Sequence, residues 1–153
     1  MRKAIQILLV EDNPADADLT RETLRTSPFE IDLTVAVNGK EAVECVHKRG
    51  RFAGAATPDL ILLDLNLPGI DGKGVLREIK QHAELKQIPV SILTSSSSEQ
   101  DITQSYQLGA NCYMVKSLDF KSFQASVRAV EEFWFGVVKL PEKDEAEKTA
   151  PSA

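Results

Sequence analysis

Residues 60–72 read Leu-Ile-Leu-Leu-Asp-Leu-Asn-Leu-Pro-Gly-Ile-Asp-Gly. A short apolar run, Leu60–Leu63, stops at an acid and gives way to a stretch dense in turn formers. A run this short, bounded by turn residues, fits a strand buried on both faces better than a helix. The same grammar recurs along the chain. Ile5–Val10 (IQILLV) stops at Glu11-Asp12-Asn13, Val90–Leu93 (VSIL) at Thr94-Ser95, and Cys112–Val115 (CYMV) at Lys116-Ser117. A fifth run, Ile31–Val37, is β-branched but mixed in polarity, as suits a strand nearer an edge.

Segments with helical spacing lie between these runs. The pattern predicts helices over Pro14–Leu24, Lys40–Lys48, Lys73–His82, about Glu99–Leu108, and from near Leu118 to about Val138. Pro14 is tolerated in a first helical turn, where its missing N–H would be unpaired anyway. Gly109 supplies a C-terminal stop. Short apolar strands alternating with helices imply a parallel sheet covered on both faces, an α/β doubly wound fold. Right-handed crossovers restrict the winding to an open sheet. Residues 49–57 (RGRFAGAAT) make the entry to the third strand longer than usual, as a surface excursion to which no chemistry is assigned.

In such sheets the site lies beyond the carboxyl ends of the strands. Those ends carry Glu11, Asp12, Asp64, Thr94, Ser95 and Lys116. Neighbouring carboxylates raise each other's pKa unless a cation sits between them. A hard cation with oxygen ligands answers this, and Mg²⁺ takes only one or two carboxylates directly. Asp12 and Asp64 are the expected direct ligands, with Glu11 acting through water and the Asn66 carbonyl aimed at the ion by the turn. The bland alternative for Glu11 and Asp12 is that they cap the helix at Pro14. Asp64 reads as a nucleophile able to hold a phosphoryl group as an acyl phosphate. Lys116 and the Thr94 hydroxyl would meet the remaining phosphoryl oxygens.

These residues resemble the response-regulator receiver family. The likeness runs from about Gln6 to Val130 and rests on Glu11-Asp12, on Asp64 with Pro68-Gly69 and Asp71-Gly72, on Thr94 with small Ser95, and on Tyr113 three residues before Lys116. The resemblance implies a flavodoxin-like strand order 2-1-3-4-5 and a phosphoacceptor at Asp64. Mg²⁺ would be organised by Glu11, Asp12, Asp64 and the Asn66 carbonyl. Thr94, Ser95 and Lys116 would bind the phosphoryl group, and Thr94 and Tyr113 would form a switch pair. The donor would be a sensor histidine kinase or a small acyl phosphate. One position departs from the family, where proline usually follows the lysine; here it is Ser117. A non-proline cis bond costs about 2.5–4 kcal/mol, so Ser117 is expected to be trans or strained.

Composition agrees with a soluble phosphorelay component. The 153 residues carry a net charge of −5, with 42% hydrophobic and 27% charged residues, an ordinary globular profile for about one domain. The negative charge disfavours direct nucleic-acid binding. No run approaches the roughly 18 apolar residues of a membrane span. Cys45 and Cys112 form no CxxC pair and read as free thiols in a reducing cytoplasm. His47 and His82 read as surface residues without a donor or ligand role.

The chain divides into a receiver domain over 1–140 with an extended last helix and a charged tail over 141–153 that reads as disordered. Output would pass through a partner or self-association, since no effector domain is seen. Phe120, Phe123, Val127 and Val130 share one helical face. Phe133, Trp134 and Phe135 follow in succession and fan through about 200° around a helix, so they cannot all face one core. Exposed aromatic surface there would serve a homodimer; a chain that bends after Glu132 and folds the aromatics inward is the alternative. This ending resembles receivers that partner bacterial phytochrome histidine kinases. Two other functions stay open at this stage. A Mg²⁺-dependent aspartyl-phosphate phosphatase would want an acid where Asn66 stands, and a pseudo-receiver scaffold would not need Asp64 or Lys116.

Overall fold

The computed structural model describes residues 4–141. The expected tail therefore lies, all but its first residue, outside the described residues. The strands are β1 (Ile5–Val10), β2 (Ile31–Ala36), β3 (Leu60–Leu63), β4 (Val90–Thr94) and β5 (Cys112–Val115). They form one parallel sheet in the order β2-β1-β3-β4-β5. The helices are α1 (Pro14–Arg25), α2 (Gly39–Val46), α3 (Gly72–Gln81), α4 (Glu99–Gln107) and α5 (Phe120–Glu131). This is the doubly wound arrangement that the alternation implied.

Successive side chains of a strand point to opposite faces, and here both faces are apolar. Leu8 and Val10 of β1, Ile61 and Leu63 of β3, and Val90 and Ile92 of β4 meet Ala42, Cys45 and Val46 of α2 and Val75, Leu76 and Ile79 of α3. Ile7, Leu9, Leu60, Leu62 and Leu93 meet Ala17 and Leu24 of α1 and Phe123, Val127 and Val130 of α5. The sheet is thus a shared wall between two cores.

Each helix begins on a side-chain cap. Asn13, Asn38, Asp71, Ser98 and Asp119 accept from the first-turn amides of α1 to α5 in turn. Asn13 takes two of them, from Ala15 and Asp16. Capping of α1 is therefore done by Asn13, which leaves Glu11 and Asp12 for other work.

The structure corrects several boundaries. β2 stops at Ala36 and Val37 is half exposed. α2 starts at Gly39 and ends at Val46, short of the expected Lys48. The last helix starts at Phe120, not Leu118, because the Asp119 carboxylate accepts from Ser122 N–H at 2.9 Å and fixes the first turn there. Phe120, expected on the buried face, is 58% exposed; the buried stripe begins one turn later with Phe123. After Glu131 the helix does not continue as α. Glu132–Val137 form a π-helical turn. The excursion over 49–57 is also anchored: a short 3₁₀ turn, Gly50–Phe52, buries Phe52 in the α2–α3 core.

One close approach ties the fold to the rim where the acids collect. Gly72, the first residue of α3, donates its N–H to the Leu65 carbonyl at 2.9 Å. A Cβ there would lie 2.3 Å from the Asp64 carbonyl oxygen and 2.5 Å from Leu65 Cα. Only glycine lets α3 start against the strand end that carries Asp64. Gly72→Ala should lower the unfolding free energy by about 1–3 kcal/mol, the usual range for overpacking. Urea denaturation would read this, and an unchanged midpoint would contradict it.

Candidate functional site

β1 and β3 run side by side with Val10 opposite Leu63. The residues that follow, Glu11 and Asp64, consequently leave the sheet together. Backbone hydrogen bonds hold both in place: Glu11 N–H donates to the Ala36 carbonyl at 2.9 Å and Asp64 N–H to the Val10 carbonyl at 3.1 Å. On the other side, Thr94 pairs with Val115, and Lys116 N–H donates to the Thr94 carbonyl at 2.7 Å. Strand register alone thus delivers Glu11, Asp64, Thr94 and Lys116 to one rim.

The side chains converge there. Glu11, Asp12 and Asp64 can each offer a carboxylate oxygen within 4.8 Å of the others. Glu11 is 3% exposed and Asp64 5%, whereas Asp12 is open to solvent. Lys116 Nζ lies 2.6 Å from Glu11 Oε1 and 3.0 Å from Asp64 Oδ2. It also reaches Asp16 Oδ2 at 2.9 Å. Asp64 Oδ1 accepts from Asn66 N–H at 3.1 Å, which orients the carboxylate. Asn66 Nδ2 reaches Thr94 Oγ1 and Ser95 Oγ only at 3.5 Å each, both weak contacts. Thr94 is fully buried and Ser95 exposed. Tyr113 donates its hydroxyl to the Ser96 carbonyl at 2.9 Å.

Electrostatics say what the rim attracts. One ammonium faces several carboxylates in a poorly solvated place. Burial pushes the Glu11 carboxyl up to about 7, with the Asp64 charge adding to it and the Lys116 contact opposing it. Burial alone would lower the Lys116 ammonium, but Glu11, Asp16 and Asp64 together hold it well above the usual lysine range. The pocket therefore carries surplus negative charge on convergent oxygens alone. That donor set fits a hard divalent cation, which would relieve the repulsion between Glu11 and Asp64.

Sequence reading missed two parts of this site. The first is Asp16 in the opening turn of α1, whose carboxylate reaches Lys116 Nζ at 2.9 Å. The second is a polar chain behind Thr94. Ser96 Oγ donates to Asp101 Oδ2 at 2.5 Å, and Lys73 Nζ binds Asp101 Oδ1 at 2.5 Å and Gln104 Oε1 at 2.6 Å. No local pattern announces it, because it joins α3, α4 and the turn after β4. Among the described residues there is no cis peptide bond, so Ser117 follows Lys116 in the trans form.

The aromatic end takes up both expected behaviours in part. Trp134 and Phe135 pack against the α1–α5 core, and the Trp134 indole N–H donates to Ser91 Oγ on β4 at 3.0 Å. Phe135 meets Phe29 edge to face with ring centroids 5.7 Å apart. Phe133 remains 48% exposed and Val137 69%.

Comparison with known proteins agrees with this geometry. The model of the response regulator receiver domain matches residues 7–128. The chain belongs to this family. The receiver is 45% identical over 135 residues to the response regulator Rcp1 of Synechocystis sp., covering 88% of this chain and 92% of that protein. Its fold matches the phosphorylated cyanobacterial phytochrome response regulator RcpA with a TM-score of 0.88 at 44% identity, over 92% of this chain and all (100%) of that one. It matches the Mn²⁺-bound form of Rcp1 with a TM-score of 0.86 at 44% identity, over 90% and 99% of the two chains. The protein is thus a signalling receiver related to phytochrome response regulators, and one of these relatives, Rcp1, has been solved with Mn²⁺ bound.

Removing the ammonium should expose the balance of charge directly. Lys116→Met should destabilise the metal-free receiver by about 3–5 kcal/mol, the usual cost of leaving buried charge uncompensated. Millimolar divalent cation should restore part of that loss. Urea denaturation with and without the cation reads both effects, and an equal cation response in variant and parent would contradict the charge balance described.

Proposed function

We propose that the receiver accepts a phosphoryl group on Asp64 and relays it as a change of surface. The observation that carries this reading is the Asp64 carboxylate, 95% buried, bonded to Lys116 and grouped with Glu11 and Asp12. Asp64 would attack phosphorus with a carboxylate oxygen, forming an acyl phosphate as the P–N bond of a donor phosphohistidine, or the P–O bond of a small acyl phosphate, breaks. Glu11, Asp12, Asp64 and the Asn66 carbonyl would hold Mg²⁺, which supplies charge neutralisation at the phosphoryl oxygens. Lys116 would exchange a carboxylate contact for a phosphoryl oxygen. Thr94 would donate its hydroxyl to another, with Ser95 beside it.

The new group brings about two negative charges and three acceptor oxygens. Motion of Thr94 toward them would disturb the turn 94–96, to which Tyr113 is bonded through the Ser96 carbonyl. Thr94 and Tyr113 would then act as a pair, shifting the population between two surfaces of α4, β5 and α5. The physiological donor on this reading is a cytoplasmic sensor histidine kinase of the phytochrome type. Output runs through partner binding or a homodimer at the aromatic end, with Phe133 as the exposed anchor beside Trp134 and Phe135, rather than through direct DNA contact. Turnover as a phosphatase is disfavoured because Asn66 supplies no acid two residues after Asp64.

Incubation with acetyl phosphate and Mg²⁺ should add one phosphoryl mass to the parent chain and none to Asp64→Asn; undiminished labelling of that variant would overturn the assignment. Thr94→Ala should still be labelled but lose phosphorylation-dependent assembly, read by light scattering before and after labelling. Assembly identical to the parent's would refute the switch role.

A further inference from the structure

Two histidines that read as unremarkable surface residues come together on the side of the sheet covered by α2 and α3. His47 closes α2 as its C-terminal cap, and His82 closes α3 in the same way. Glu78 lies one turn before His82 on α3. The His47 side chain is only 12% exposed, so the surface reading fails for it. His47 Nε2 and His82 Nε2 each approach the same oxygen, Glu78 Oε1, at 3.0 Å. The two rings meet edge to face with centroids 4.7 Å apart.

We propose that His47, Glu78 and His82 form a second metal site, selective for a borderline transition-metal ion of the Zn²⁺ type. Its donors are two imidazoles and one carboxylate, a set used for zinc with a water completing the tetrahedron. All three ligand atoms already lie within 4.8 Å of one another. A tetrahedral ion with bonds of about 2.0–2.2 Å spaces neighbouring donors roughly 3.3–3.6 Å apart. The two observed 3.0 Å contacts need to open only slightly to admit it. The partial exposure of His82 and Glu78 leaves an entry path and room for a water.

The neighbouring chemistry agrees. His82 Nδ1, the nitrogen pointing away from the cluster, lies 3.9 Å from Glu84 Oε1. Metal-bound histidines characteristically give their second N–H to a carboxylate, and a small closure of Glu84 would complete that contact. Both imidazoles face one oxygen of Glu78, and a bound ion would take the place of the hydrogen bonds now made there. The site also differs in kind from the rim at Asp64. Oxygen donors there suit a hard cation, and imidazoles here suit a softer one, so the two ions sort themselves. Occupancy would tie the end of α2 to the end of α3.

The test uses the untagged full chain, stripped of metal and held in excess Mg²⁺ to fill the rim site. Isothermal titration with ZnCl₂ should find one further site, and Co²⁺ should give the visible absorption of a tetrahedral complex. His47→Ala and His82→Ala should each weaken Zn²⁺ binding at least tenfold and abolish the cobalt spectrum. Circular dichroism of both variants checks that they remain folded. Asp64→Asn should bind Zn²⁺ as the parent does. No Zn²⁺ uptake in excess Mg²⁺ would overturn the site, leaving a hydrogen-bonded clasp only. Uptake unchanged in folded His47→Ala and His82→Ala would overturn it too, by placing the ion elsewhere.

Discussion

Carboxylates from neighbouring parallel strands meet at one rim of this receiver, and a single ammonium from a third strand end is set against them. Glu11 and Asp64 arrive side by side because β1 and β3 are paired in register. Lys116 arrives because β5 pairs with β4, whose last residue is Thr94. The resulting surplus of negative charge cannot be dispersed into water, since Glu11 and Asp64 are nearly inaccessible. Such a place favours whatever brings positive charge or takes charge away. A divalent cation does the first and protonation of Glu11 the second. Phosphorylation of Asp64, which adds charge, would require the cation and Lys116 together.

The remainder of the fold can be read as support for that rim. Asn13 caps α1 and so spares Glu11 and Asp12. Asp71 caps α3 in the same way, and Gly72 lets that helix start directly against the Asp64 backbone. Behind Thr94, the chain from Ser96 through Asp101 to Lys73 couples the turn after β4 to α4 and α3. Ser96 N–H lies 3.5 Å from the Thr94 hydroxyl, and Tyr113 joins the same end of the chain through the Ser96 carbonyl.

The alternation of strands and helices and most of the rim were legible in the sequence because both follow from period and punctuation, whereas the strand order came from the family resemblance. Runs such as LILL and IQILLV each stop at a charged residue, and that is enough to assign strand ends. What stayed hidden depends on contacts between distant segments. Asp16 joins Lys116 across 100 residues of chain, and no local pattern encodes the pair. Spacing on an α-helix kept Phe133, Trp134 and Phe135 from all facing one core, and Phe133 does stay 48% exposed, while the π-helical turn carries Trp134 and Phe135 onto the core. The pairing of Trp134 with Ser91, a small polar residue inside an apolar strand, could have hinted at this. The surface reading of His47 failed because the packing of α2 on α3, which no local pattern encodes, brings it with His82 to Glu78.

On the function proposed above, the rim makes one particular carboxylate reactive toward phosphorus, and only when its charge is balanced. Mapping the modified residue tests it most directly. The receiver is treated with acetyl phosphate, the acyl phosphate is reduced with borohydride, and the position converted to homoserine is found by peptide mass spectrometry. Conversion is expected at position 64 alone, present with a divalent cation and lost on its chelation. Conversion at Asp12 or another acid, or equal conversion without the cation, would contradict it.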